Sequence, residues 1–217
     1  MSKAQTTRET TYRPPLPPRW KGASSLTLVH EFNERCLAAL TGFAKGPGPC
    51  DIPVIAQCRA LWSQLDALSI QRAAQLPFVI LNVRFTDGPW WRTGAGPAPD
   101  ARVTPMAAGA WPAAIAEPLL QELLIFAWHT VKWDARVARL LLGMSPQVAE
   151  TLAELSPQRL TELGQEATGE LRLRRQEDHG FWEPLLVAAL KNSRQALSDA
   201  HLHAKLLFCG ELLAASG

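Results

Sequence analysis

The sequence predicts an all-α, multihelical protein that contains two similar helical repeats. Apolar residues recur at helical spacing along most of the 217 residues, and hydrophobic side chains make up 47% of them, which is enough for a sizeable core. In addition, the segment "LDALSIQRAAQLP" (65–77) returns as "LAELSPQRLTELG" (152–164). We therefore expect the two repeats to form a pseudo-dimer within one chain, with short extended segments near 79–85 and 170–174.

The composition narrows the class of protein further. A net charge of +2 does not require a nucleic-acid partner and does not exclude one. The chain has neither a secretory signal at its start nor an apolar stretch long enough to span a membrane, so we expect a cytoplasmic protein. The four cysteines include no C-x-x-C pair, which favours free thiols; a disulfide, including one between subunits, is the alternative.

Residues 1–22 form a proline-rich arm that precedes the first repeat. Four prolines between positions 14 and 18 favour the extended polyproline II conformation. One interpretation is a docking strip, because Arg13 and Arg19 flank a P-x-x-P pattern. The other is a disordered lead-in.

The first repeat is assigned to residues 23–91. A helix is predicted from Ser24 or Ser25 to about Phe43, because apolar side chains recur every four residues at Leu28, Phe32, Cys36 and Leu40. A Gly- and Pro-rich loop follows, and a second helix begins after Asp51. Ser69 is predicted to cap a short helix, and the segment "FVILNVRFTDGPWW" (78–91) is β-prone at its start.

A linker rich in Gly, Pro and Ala is predicted at 92–116, and the second repeat at 117–217. The repeat opens with a helix that is apolar nearly all round, Trp133 included, which indicates burial on several sides. Ser156 is the predicted cap of a short helix, with Pro157 at its first position. The last helix, 181–213, is expected to break near Asn192 or Ser198.

The segment "ARLLLGMSPQVAETLAELSPQRLTELGQEATGELRLR" (138–174) resembles the FlhD family of bacterial flagellar master regulators. That family shows R-L-G, then M/V-A-x-x-L-A-x-L-S/T-x-x-Q, K-L-A and an F-R-F close. The positions that match without gaps are Leu142, Gly143, Val148, Ala149, Leu152, Leu155, Ser156, Leu163, Leu173 and Arg174. The resemblance extends over roughly 116–210, and residues 24–91 carry a weaker form of the same pattern.

This resemblance implies a regulatory protein. FlhD is multihelical, its subunits intertwine as a dimer, and it acts with a DNA-reading partner, FlhC, at σ70 promoters; related pairs act on integrating conjugative elements. The chain is about twice the length of the family, so a tandem would supply both halves of the dimer. It departs from the family pattern at Arg175, where Phe is usual, and at Thr168 and Glu170, where apolar residues are common.

No arrangement of residues indicates catalysis, a metal or a cofactor, so we predict a protein that is not an enzyme. His201 and His203 lie two residues apart, on different faces of a helix, and cannot share a metal there. His129 and His179 are interpreted, like them, as surface or capping residues. No phosphate-binding or dinucleotide-binding glycine motif occurs.

Basic and aromatic residues are the candidate contacts with DNA or a partner protein. The basic candidates are Arg159, Arg172, Arg174, Arg175, Lys132, Arg136 and Arg139. Acidic residues interleave with several of them, so a solvated face is the alternative interpretation. The aromatic candidates for an interface are Trp90, Trp91 and Trp182, for which core packing is the alternative.

Two functions follow from these observations. The first is a subunit of a hetero-oligomeric transcription-activating complex, with an FlhC-like partner, promoter DNA and contact with RNA polymerase, and without a role for a membrane. The alternative is a helical adaptor or chaperone of a bacterial secretion or conjugation system that does not bind DNA.

Overall fold

The computed structural model describes residues 25–47, 50–93 and 111–214. The proline-rich arm and most of the predicted linker lie outside these ranges. Within them the protein is all-α, as predicted, with eleven helices and one two-stranded sheet. None of the helices in the described part is long and apolar enough to span a membrane.

The first half begins with a long helix and continues through short ones. Its elements are α1 (Ser25–Lys45), α2 (Pro53–Gln57), α3 (Arg59–Gln64), α4 (Ala67–Ala73), β1 (Leu81–Asn82) and α5 (Gly88–Thr93). The buried face of α1 includes three of the four residues in the predicted stripe, Phe32, Cys36 and Leu40. Leu28 packs at the edge of the same core.

The second half follows a similar order and adds one long terminal helix. Its elements are α6 (Ala113–Trp133), α7 (Ala135–Leu142), α8 (Pro146–Glu154), α9 (Pro157–Glu166), a 3-10 turn (Thr168–Glu170), β2 (Arg172–Leu173), α10 (His179–Lys191) and α11 (Arg194–Ala214). The break between α10 and α11 falls at Asn192, one of the two predicted positions. Asn192 ends α10 in the left-handed conformation, with φ of 51°.

Each half contributes one strand to the sheet. β1 and β2 pair antiparallel, with Leu81 opposite Leu173 and Asn82 opposite Arg172. Both strands fall inside the extended segments predicted near 79–85 and 170–174. The pairing joins the two halves of the chain.

The backbone on either side of the sheet makes two reciprocal hydrogen bonds between the halves. The amide of Val54 donates to the carbonyl of Gln176 over 2.9 Å, and the amide of Ser145 donates to the carbonyl of Phe85, also over 2.9 Å. The interval from Val54 to Ser145 equals the interval from Phe85 to Gln176. Such a matched pair is what an approximate two-fold relation between the halves produces.

The last short helix of each half packs on the other half. Helix α5 contacts α8, while α10 contacts α2, α3 and α4. Trp182 of α10 lies against Trp62 of α3, with ring centroids 5.5 Å apart, and both side chains are fully buried. Arg72 of α4 donates through Nε to the carbonyl of Ala189 over 2.8 Å. The two halves therefore interlock and share one hydrophobic core.

The segment between β1 and α5 and the segment between β2 and α10 have the same local structure. Arg84 and Arg175 both have positive φ, 47° and 53°, and each pairs with the aspartate three residues later. The indole nitrogen of Trp91 donates to the carbonyl of Arg84, and that of Trp182 donates to the carbonyl of Arg175. The interval from Arg84 to Trp91 equals the interval from Arg175 to Trp182.

One predicted helix cap is right and the other is wrong. Ser156 caps α9, as predicted, and its Oγ accepts from the amide of Arg159. In the first half the cap is Asp66, whose carboxylate accepts from the amide of Ser69 over 2.7 Å. Ser69 therefore lies inside α4. The Asp66 carboxylate is the better cap, because its negative charge accepts from a free amide of the first turn and is stabilised at the helix N-terminus.

The buried Asn33 of α1 holds the chain between α4 and β1. Its side-chain amide donates to the carbonyls of Ala74 and Phe78, and its Oδ1 accepts from the amide of Ile80. These three backbone groups have no helical or strand partner that would otherwise satisfy them, so the asparagine replaces secondary structure in this segment.

Candidate interaction surfaces

Arg174 lies at the centre of the densest arginine cluster and is directed inward. Its side chain is 9% exposed. Nε donates to the carbonyl of Val79 over 2.9 Å, Nη2 donates to the carbonyl of Leu142, and the guanidinium lies over the ring of Phe208. Burial lowers the pKa of Arg174 to about 10, so the group stays protonated at neutral pH. These contacts connect the β2 strand to α7 and α11.

The neighbours of Arg174 on the sequence are also paired. Arg175 makes ion pairs with Asp178 at 2.9 Å and with Glu211 at 3.0 Å. Arg172 donates to the carbonyls of Gly169 and Leu171. The cluster therefore combines cations with internal acceptors, and it does not present three free guanidinium groups to solvent.

Arg159 extends along its own helix. It pairs with Glu162 at 3.2 Å and with Glu166 at 2.9 Å, and these contacts raise the pKa of Arg159 and lower that of Glu166. A partly exposed pair of this kind contributes little to stability. Both carboxylates neutralise the charge that a phosphate would otherwise meet.

The end of α6 and the start of α7 carry the most accessible basic candidates. Lys132 and Arg136 are exposed, and Lys132 lies 5.7 Å from the ring centroid of Trp128. Trp133 and Leu140, on the same two helices, are each 60% exposed. We call the set Lys132, Trp133, Arg136 and Leu140 the α6–α7 face. Arg139, the remaining basic candidate, is half-buried, and its Nε lacks a hydrogen-bond partner within the described residues.

The corner that presents this face is held by a cap. Asp134 separates the two helices, and its Oδ1 accepts from the amides of Arg136 and Val137 at 2.8 and 3.2 Å. The placement of Trp133 differs from the sequence expectation of a buried position. The helix ends at this residue, and Asp134 turns the chain before the indole can reach the core.

Two of the three candidate interface tryptophans lie in the core. Trp182 is fully buried and Trp91 is 3% exposed, stacked on Phe85 at 6.0 Å. Trp90 is half-buried, with the guanidinium of Arg84 5.9 Å from its ring centroid. Trp133 is not among the interface residues predicted from the sequence, although Asp134 beside it is a typical capping residue and marks a helix end.

A second apolar surface lies on α11. Its exposed members are Leu202, Leu206, Cys209 and Leu213, which we call the α11 stripe. Their spacing of four, three and four residues places them on one side of the helix. The four cysteines, all in the described part of the chain, are unpaired, so Cys209 is an exposed thiol within this stripe.

The histidines are scattered over the helices. Burial lowers the pKa of His129 and His201, while His179 lies 3.3 Å from Glu183 on α10 and His203 is exposed. In the described ranges, no group of three or more His, Cys, Asp or Glu side chains is arranged to hold a metal ion.

Comparison with models of known protein families, with curated proteins and with solved structures gives no match for this chain.

Proposed function

We propose that the chain is a non-enzymatic, FlhD-like subunit of a bacterial transcription-activating complex, and that it acts with an FlhC-like partner that binds promoter DNA. The observation that carries the proposal is the reciprocal packing of α5 on α8 and of α10 on α2, α3 and α4. The resemblance at 138–174 implies an intertwined pair of subunits, and one chain with two interlocked halves matches that arrangement.

The α6–α7 face is the best candidate for the partner contact. Exposed Trp and Arg side chains are the residue types most enriched among those that dominate binding energy at protein interfaces. Trp133 and Leu140 leave apolar surface in water, and Lys132 and Arg136 add positive charge around it. Apolar area with a charged rim is typical of a non-obligate protein interface.

Contact with promoter DNA would use the same end of the molecule in a secondary role. Lys132 and Arg136 are exposed and have no carboxylate partner in the described part of the chain. Each cation that meets a phosphate makes binding weaker as salt rises, because counterions are released on association. We therefore expect a few phosphate contacts beside the partner contact. Contact with RNA polymerase would be made in the assembled complex.

The test uses an FlhC-like protein as the candidate partner. We expect the two full-length proteins to form a complex in size-exclusion chromatography and to shift a promoter fragment only together. Trp133→Ala should weaken the complex by tenfold or more, because truncation of a central interface Trp costs about 2 kcal/mol or more. Arg136→Gln should weaken the DNA shift and reduce its salt dependence.

Leu68→Ala is the matched control, because Leu68 is 62% exposed on α4, away from the α6–α7 face. Far-UV circular dichroism confirms that each variant is folded. Absence of a complex with the FlhC-like protein, or a complex that Trp133→Ala and Leu68→Ala weaken equally, would contradict the proposal.

The α11 stripe favours the second candidate, a helical adaptor or chaperone of a secretion or conjugation system. Three exposed leucines on one side of a terminal helix are typical of a surface that receives an apolar partner segment. The two functions differ in their DNA dependence. An adaptor would bind its client equally well in low and high salt and would leave the promoter fragment unshifted.

A further inference from the structure

A cleft lies between the end of α4 and the first half of α11, away from the α6–α7 face. It is an open cleft with a volume of about 530 Å³, and Gln75, Asn192 and Ser198 are among the residues that line it. This volume falls in the range of small-molecule sites in proteins, roughly 300–1,000 Å³. The turn between α10 and α11 forms one of its walls, where Asn192 has positive φ.

The cleft is positively charged. Arg194, His201 and Lys205 all line it, and none of the lining residues is acidic. No ion pair to Arg194 or Lys205 is formed in the described parts of the chain. Arg175 near β2 is matched by carboxylates, whereas Arg194 and Lys205 share their cleft with neutral polar and apolar residues.

His201 is the innermost of the three. Its Nε2 is buried and has no hydrogen-bond partner among the described residues. Burial lowers the pKa of His201, and the charges of Lys205 on α11 and His30 on α1 lower it further, while a contact with the Arg72 carbonyl raises it. A buried polar atom without a partner costs free energy, and an anion in the cleft would favour the protonated imidazole, whose Nε2 can donate to it.

The remaining wall is suited to the uncharged part of a ligand. Leu197 and Leu202 give apolar surface at one side, and the amide groups of Gln75 and Asn192 provide hydrogen bonds. We propose that this cleft binds a small phosphorylated molecule of about mononucleotide size, with its phosphate between Arg194, His201 and Lys205. The site does not depend on the function proposed above, because none of its residues lies on the α6–α7 face.

The experiment is calorimetric titration of the full chain at low salt with AMP, ribose 5-phosphate and adenosine. We expect both phosphorylated probes to bind and adenosine to bind at least tenfold more weakly, since it lacks only the phosphate. Arg194→Gln and Lys205→Met should each weaken AMP binding by tenfold or more. Both side chains are exposed, so the substitutions leave the fold intact, which a thermal melt confirms.

Lys132→Met is the matched control, because it removes one exposed lysine outside the cleft and should leave AMP binding unchanged. Three results would overturn the proposal. The first is no binding of either phosphorylated probe at millimolar concentration. The second is equal binding of AMP and adenosine. The third is a short DNA duplex that binds through Arg194 and Lys205 while AMP does not, since that result would assign the cleft to a nucleic-acid backbone.

Discussion

Replacement of Trp182 by alanine tests the interlocked core. Trp182 belongs to α10, in the second half of the chain, but its indole lies against Trp62 of α3, in the first half, 5.5 Å between ring centroids. Its Nε1 donates to the carbonyls of Arg174 and Arg175 at 3.2 and 3.1 Å. The substitution thus removes a contact between the halves and a hydrogen bond at the end of β2.

The magnitude follows from the complete burial of this side chain. Truncation of a buried Trp to Ala costs about 3–5 kcal/mol, since a cavity remains where the ring was. Loss of the indole donor adds about 1 kcal/mol. Trp182→Ala should therefore destabilise the protein by about 4–6 kcal/mol, against a typical total of about 5–15 kcal/mol. Trp182→Phe, which keeps one ring, should cost about half as much.

The measurement is urea unfolding followed by far-UV circular dichroism, because removal of a Trp would alter a fluorescence signal. Trp133→Ala is the control, and its 60% exposure predicts a change within about 0.5 kcal/mol. A destabilisation of less than about 1 kcal/mol for Trp182→Ala would refute the reasoning. It would mean that α10 does not pack across onto the first half.

Three further predictions concern other parts of the fold. Asn33→Ala leaves three backbone groups between α4 and β1 without partners and should cost about 3 kcal/mol in urea unfolding, whereas a neutral result would remove its clamping role. Gly143→Ala should cost about 1–2 kcal/mol because of the positive φ of 59° at this position. The cost should be higher still because the added Cβ would lie 3.0 Å from side-chain atoms of Arg174 and Phe208. The melting temperature should also fall as the pH falls from about 7.5 to about 5.5, and it should stay level above about pH 7.5. The unfolded chain takes up protons near pH 6.5, while burial lowers the histidine pKa values in the folded state, so the folded state resists protonation. A melting temperature independent of pH in this window would contradict the burial of these side chains, which are His30, His129 and His201.

Periodicity predicted the helices well and the alignment of the repeats less well. The apolar stripe of α1 and the break at Asn192 follow from residue spacing and conformational preference, and the structure contains both. The alignment of Ser69 with Ser156 was wrong because identical letters do not guarantee identical positions along a helix. The caps align Asp66 with Ser156 instead, a shift of about one helical turn.

The packing of α5 and α10 on the opposite halves of the chain could not be derived from periodicity. An amphipathic helix shows that it buries a face, but its sequence does not say which neighbour it buries it against. The resemblance to an intertwined family supplied that expectation. The pairing of Leu81 with Leu173 is likewise a long-range contact between two strands of two residues each, which are too short to specify a partner.

Whether a candidate residue is exposed or makes internal contacts depends on its neighbours in space. Arg174 and Trp182 are of the residue types expected at an interface, but their contacts are internal. Residue type and spacing do not report which carbonyls lie within reach of a guanidinium after folding. The same reason explains why His201, interpreted from the sequence as a surface or capping residue, lies half-buried in a cationic cleft.

The most direct test of the interlocked pseudo-dimer is to cut the chain between its halves. A protease site inserted within residues 94–110, in the Gly- and Pro-rich segment, allows the full chain to fold before it is cleaved. We predict that the two fragments stay together as a 1:1 complex in size-exclusion chromatography and unfold in one cooperative transition. Fragments that separate in native buffer while each keeps its helical circular dichroism would contradict the account.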